Sequence, residues 1–126
     1  MKENAIEVLL TQPVPEAIDA QLVSAYQVHR LYQQRDPQQL INDVGPRIRG
    51  VVTGGAKGLS NSLMDQLPAL EIIAISGIGT DAVDLRHAAS RGIHVTTTPG
   101  VLTADVADLA MGLIINTLRR LGEGER

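Results

Sequence analysis

Apolar residues recur along this chain in two rhythms. Short runs rich in apolar and β-branched residues stand at regular intervals: AIEVLLT at 5–11, IRGVVTG at 48–54, EIIAISG at 71–77 and GIHVTT at 92–97. A further run, QVHRLY at 27–32, alternates apolar and polar positions, the pattern of an edge strand. Several of the five are apolar on both faces, as strands covered on both sides must be.

Helical spacing fills the intervals. Residues 15–25 begin with Pro15, suited to a first helical turn, and place Ile18, Leu22 and Ala25 on one face. Residues 37–43 predict a short helix after Asp36-Pro37, and residues 60–67 one that starts from Ser60 as N-cap. Residues 84–91 follow Asp81 and Asp84, acids that suit a helix start, and end at Gly92, a stop signal. Strands alternating with helices predict a parallel sheet with helices on both faces.

The last helix breaks the pattern. Thr103 is expected to cap a run to about Leu121, roughly 28 Å long at 1.5 Å per residue. At 100° steps Val106, Leu109, Ala110, Leu113 and Leu121 share one side, and Met111, Ile114, Ile115 and Leu118 continue it around. Asp105, Asp108, Gly112, Asn116 and Arg119 fill only a narrow polar arc. A surface helix has a narrower apolar stripe. This one is built to be covered from two directions.

Composition narrows the function. The 126 residues suit one compact domain, and 44% are apolar, enough for a core. With two Tyr, no Phe and no Trp, base stacking lacks its platform. The net charge of −3 argues further against nucleic acid. The absence of cysteine removes disulfides and thiolate metal sites and fits a reducing, cytoplasmic setting. The opening MKENAIEVLL is too short an apolar run for a leader. Residues 106–118 carry Asp108 and Asn116 and are too short and polar to span a bilayer. No metal site is expected.

One motif needs testing. From Gly77 the chain reads Gly-Ile-Gly-Thr-Asp-Ala, which satisfies the glycine pattern for dinucleotide binding. That pattern should open directly into a helix and be followed by a strand ending in an acid. Here the next strand ends Thr97-Thr98-Pro99, and Asp81 would put negative charge into the phosphate loop. The context argues against pyrophosphate. What remains are two glycine-rich loops at neighbouring strand ends, TGGAKGL at 53–59 and SGIGT at 76–80. Their bare N–H groups suit a small anion such as a carboxylate, with Lys57 adding charge. The residues alone leave equally open that Gly54, Gly55 and Gly58 only make a tight turn. His29, His87 and His94 show no ligand spacing and are expected to be structural or at the surface.

LPALEIIAISGIGTDAVDL and SRGIHVTTTPGVLTADVADLAMGLIINTLRR resemble the D-isomer-specific 2-hydroxyacid dehydrogenases, within them the glyoxylate, hydroxypyruvate and 2-ketogluconate reductase branch. The resemblance is dense over residues 48–121 and thin before them. Its diagnostic pieces are Gly77-x-Gly79-x-Asp81, Arg91-Gly92-Ile93, Thr98-Pro99-Gly100 and Val106-Ala107-Asp108. The family commonly has Asn where this chain has Ala82, and often Asn where it has Thr97. Both changes fit the reductase branch.

The resemblance implies a flavodoxin-like substrate domain over residues 1–102, an open five-stranded parallel sheet of order 2-1-3-4-5. Residues 103–121 would form a bridging and dimerising helix, and the cofactor domain would be absent. Gly54, Gly55, Ala56 and Lys57, with Ile78 and Gly79, would bind a small 2-oxo or 2-hydroxy acid, and Asp108 would pass the cofactor cleft. The cofactor is NAD or NADP in the intact enzyme, with none expected on this chain. The catalytic residues are expected beyond Arg126, so the chain alone would be inactive. A phospho-receiver would need acids after the first and third strands, where the chain reads LLTQP and VVTGG. A non-catalytic, dimerising ligand-binding or corepressor-like module is the alternative.

Overall fold

The computed structural model describes residues 5–124. Residues 1–4, part of the segment read above for a leader, and residues 125–126, at the end of the final GEGER, lie outside them. Five strands form one sheet: β1 (Glu7–Leu10), β2 (Gln27–Arg30), β3 (Ile48–Gly54), β4 (Ile72–Ser76) and β5 (His94–Thr96). Their order is β2-β1-β3-β4-β5 and every pairing is parallel, as expected. The helices are α1 (Glu16–Ala25), α2 (Pro37–Val44), α3 (Asn61–Asp65), α4 (Leu85–Ser90) and α5 (Thr103–Arg119).

Local chemistry sets the helix starts. Asp36 accepts from Gln39 N at 3.1 Å, Ser60 from Leu63 N at 3.2 Å and Asp84 from His87 N at 3.0 Å. Each occupies one of the orphan donors of its first turn. The Asp84 carboxyl is held below its ordinary range, first by the Asn61 amide and then by the His87 N–H. This is a cap, not half of a carboxylate pair; Asp81 is exposed. Gly92 ends α4 at φ +71°.

Some boundaries differ from the pattern. Pro15 is the N-cap of α1 and not its first residue. Thr103 is the first residue of α5, whose cap position is Leu102 with no side-chain bond, and Leu121 lies past the helix end. The expected end of β2 turns into a 3-10 helix at Leu31–Gln33, so Tyr32 leaves the sheet.

One face of the sheet is well covered. Leu9, Val51, Ile73 and Ile75 pack against α2, α3 and α4 through Ile41, Val44, Met64 and Ala88. The other face carries α1 alone, which buries no residue. Leu22 and Tyr26 stand over one side of a groove of about 290 Å³ floored by Val8, Gly50, Val52 and Ala74. Ile72 there is 41% exposed. Helices lie on both faces, but unequally.

Polar ties hold the amino ends of the strands. Glu7 meets Arg47 at 2.7 Å and His29 at 2.8 Å. Burial pushes the Glu7 carboxyl up, but hydrogen bonds and charge from Arg47 and His29 outweigh it and hold the group below its ordinary 4.5. A lowered carboxyl stabilises the fold above its unfolded value, and that contribution is lost as pH falls through the folded value. Glu7→Gln should cost about 1–3 kcal/mol at pH 7. The gap to the parent should begin to narrow as pH falls past the unfolded value near 4.5 and keep closing through the lower folded value, where Glu7 itself becomes neutral. Urea midpoints at pH 7 and pH 3 measure this; an equal gap at both would refute it.

Candidate functional site

The crevice lies at the carboxyl ends of β1, β3 and β4, and buried hydroxyls set its shape. Thr11 Oγ1 donates to Thr53 Oγ1 at 2.7 Å, and Thr53 Oγ1 donates to Gly58 O at 2.8 Å. Both threonines are buried, 3% and 1% exposed. The chain of bonds ties the end of the 55–57 turn back to the strand it left. Gly58 N closes the same turn onto Gly54 O at 2.8 Å.

The second loop sits against the first. A Cβ on Gly55 would stand 3.1 Å from Gly79 O. Leu59 N donates to Ala82 O at 3.0 Å, and Leu59 and Val83 form an isolated parallel bridge. Gly58 makes this approach possible: it has φ +57°, and a Cβ there would be 2.1 Å from Ala82 O. Ala82, where the resemblance has Asn, contributes its carbonyl to this seam.

The expected substrate residues thus come together at the carboxyl end of the sheet. Gly54 is buried, Gly55 and Gly79 half-buried, and Ala56, Lys57 and Ile78 exposed. Lys57 makes no ion pair with any described residue, so its ammonium is available beside the turn. Ile78 faces the other way, into a cleft of about 550 Å³ shared with Gly77, Thr98 and the start of α5 at Leu102, Thr103 and Val106. Thr98 N fixes that loop to Gly77 O at 2.8 Å. Asp108 is exposed on α5 and stands outside the lining of this cleft, which takes Ala107 and Ala110 from the same helix.

The glycine motif does not fit a pyrophosphate. Residues 77–82 form bends and a turn and not a helix start. The helix that follows spans only Leu85–Ser90, and the Asp84 carboxylate already occupies His87 N.

The histidines lie away from the crevice loops. His29 pairs with Glu7 at the amino ends of the strands, and His87 meets Asp65 at 2.6 Å between α3 and α4. Both acids are 22 residues distant, which is why spacing did not reveal them. Among the described residues no three His, Cys, Asp or Glu side chains gather as a metal site. No described helix is long and apolar enough to cross a membrane. Arg91, in a diagnostic piece of the resemblance, donates to Met64 O and to Leu67 O, the latter at 2.9 Å. Its work is to hold the end of α3.

A five-stranded parallel sheet of order 2-1-3-4-5, with two glycine turns side by side at its carboxyl edge, makes this a flavodoxin-like α/β domain. The chain belongs to the D-isomer specific 2-hydroxyacid dehydrogenase family: the family model of the catalytic domain matches residues 8–120. It is 38% identical over 123 residues to hydroxyphenylpyruvate reductase of Plectranthus scutellarioides, covering 98% of this chain and 39% of that protein. A 2-hydroxyacid dehydrogenase from Ketogulonicigenium vulgare superposes with a TM-score of 0.91 at 40% identity, covering 96% of this chain and 38% of that one. The NADPH-dependent glyoxylate/hydroxypyruvate reductase of Sinorhizobium meliloti, in complex with NADP and malonate, does so with a TM-score of 0.82 at 37% identity, covering 97% and 37%. The chain therefore spans about two fifths of the length of the relatives it matches.

Sequence reasoning missed Thr11 and Thr53. The segment LLTQP drew attention only for the acid it lacks. A hydroxyl at the end of each of two inner strands, Thr11 and Thr53, was the available signal.

Proposed function

We propose that residues 1–102 are the substrate-binding domain of a reductase that moves a hydride between NADH or NADPH and a small 2-oxo or D-2-hydroxy acid. Residues 103–121 are the helix that leads to the cofactor domain, with Asp108 at the cofactor cleft. The observation that carries this is the contact of Gly55 with Gly79, two turns with little side chain side by side. Backbone N–H groups of Gly55, Ala56 and Lys57 hold the substrate carboxylate, and the free ammonium of Lys57 adds charge. Gly79 closes the opposite wall, and Ile78 on the same loop lines the adjoining cleft toward α5. The malonate bound by the Sinorhizobium meliloti relative, a small carboxylate, supports this class of ligand.

The nicotinamide supplies hydride chemistry when bound; this chain's part is orientation. The acid–base residues belong to the portion of the relatives that these 126 residues do not span. The helix also pairs two copies of the protein, since its apolar surface has no cover among the described residues.

Titrating the chain with D-lactate while following backbone amides by NMR tests the reading. Saturable shifts should centre on Gly55, Ala56, Lys57 and Gly79. Lys57→Ala should weaken binding about three- to tenfold, one charge-assisted contact's worth. Shifts confined to other regions would refute the site.

A further inference from the structure

The two buried hydroxyls at the ends of β1 and β3 form a relay whose direction is fixed. Gly58 O only accepts, so the proton of Thr53 Oγ1 is committed to it at 2.8 Å. Thr53 Oγ1 then has only acceptor capacity to offer Thr11, whose hydroxyl donates at 2.7 Å. The bonds run one way, from Thr11 through Thr53 to Gly58. Among the described residues no buried side-chain N or O lacks a partner, so neither hydroxyl is spare.

The sheet holds one end of this relay still. Thr11 N donates to Val52 O at 3.1 Å, and Thr53 lies inside β3, in register with Ile75. The other end is the glycine turn. Gly58 N bonds to Gly54 O at 2.8 Å, with Gly58 in the left-handed region at φ +57°. Gly58 is thus fastened through both its N–H and its C=O, while Ala56 and Lys57 before it are exposed. The N–H bond closes the turn but leaves it free to tilt about the strand end. The carbonyl bond, made to a side chain anchored in the sheet, removes that freedom. A backbone anion site needs its N–H groups to converge on one point, and charge-assisted bonds are short enough to lose strength when a turn tilts.

We propose that Thr53 is a positioning residue: its hydroxyl, oriented by Thr11, holds the Gly55–Lys57 turn at the angle at which its N–H groups converge on a carboxylate. This rests on the carboxylate site proposed above. Both threonines are buried and act on the ligand only through Gly58.

Thr53→Val and Thr53→Ser separate this role from packing. Valine keeps the bulk and removes the hydroxyl; serine keeps the hydroxyl and removes the methyl. Dissociation constants for D-lactate come from the Gly55 and Ala56 amide shifts, and hydrogen exchange at Gly58 N–H without ligand reports the turn itself. Both variants should melt below the parent, since each loses a buried group. Valine should weaken D-lactate about five- to tenfold, the effect of one hydrogen bond, and speed Gly58 exchange by a similar factor. Serine should keep both at the parent's values. Serine weakening D-lactate as much as valine, or valine binding like the parent, overturns the role of Thr53 while the carboxylate site stands. If Thr53→Val does not fold, Thr11→Val decides. It leaves the Thr53–Gly58 bond but removes the group that orients it, and should weaken D-lactate about two- to threefold; binding equal to the parent's overturns the relay. If D-lactate moves no turn amide in the parent, the carboxylate site is wrong and the inference falls with it, whatever Gly58 exchange shows of the turn.

Discussion

A chain carrying Ile115→Lys and Leu118→Lys should sediment as a monomer at concentrations where the parent is a dimer. Helix α5 carries Val106, Leu109, Met111, Leu113, Ile114, Ile115 and Leu118, each between 48% and 77% exposed. It buries no residue at all. Full burial of one such side chain is worth about 1.5–3 kcal/mol. Covering half of several on each of two copies gives roughly 10 kcal/mol gross, against an association cost of about 4–15 kcal/mol. At the low end of that cost about 6 kcal/mol remains, a dissociation constant of roughly tens of micromolar. Exposed patches of this size usually find a partner. Met111, Ile115 and Leu118 should lie in the contact, with the helices paired about a two-fold axis or exchanged through the 98–101 hinge. Burying either lysine would strand a charge, so the double variant should weaken association at least about a hundredfold. Sedimentation velocity across a dilution series decides it. A parent that is monomeric throughout would show that the wide apolar arc has another use.

The second large effect concerns the seam between the two loops. Gly58→Ala should lower stability by about 3–5 kcal/mol, combining a left-handed backbone with a clash that flexible atoms cannot absorb. The new Cβ would stand 2.1 Å from Ala82 O, a backbone atom, so the loops must part. Parting them breaks the Leu59 N to Ala82 O bond and removes the Gly58 carbonyl from Thr53. Against a total of about 5–15 kcal/mol, that loss is a large fraction. Gly112→Ala is the internal comparison. A Cβ there would meet nothing within 4 Å beyond its own helix turn, so alanine should cost nothing and favour the helix by about 1 kcal/mol. Thermal melts of the two variants should therefore move in opposite directions or differ by many degrees. Equal melts would mean that the seam is looser than its geometry implies.

The fold was legible in the sequence wherever its cause was local. Asp36, Ser60 and Asp84 each reach a donor three residues ahead, so the starts of α2, α3 and α4 are written in adjacent residues. Gly92 ends α4 because its own backbone angle needs no distant partner. The strands were legible because burial on a parallel sheet demands apolar runs at short intervals. The glycine turns announced themselves for the same reason, since a turn is made by the residues within it. The bare α5 could be anticipated from its own periodicity.

What only the tertiary structure decided depends on contacts across long stretches of chain. Thr11 meets Thr53 over 42 residues, and Glu7 gathers Arg47 and His29 from 40 and 22 residues away. No spacing rule encodes such pairs, because the intervening helices set the distance and not the side chains. Arg91 belongs to a recognisable motif, yet its service to the carbonyls at the end of α3 exists only once α3 and α4 are packed. The unequal cover of the sheet is of the same kind: α1 has its apolar positions, but the area they leave open depends on where the helix sits. Gln12 is the plainest case. In the sequence it is one polar residue after a strand; in the fold it lies on Gly54, because adjacent parallel strands bring their carboxyl ends to one edge.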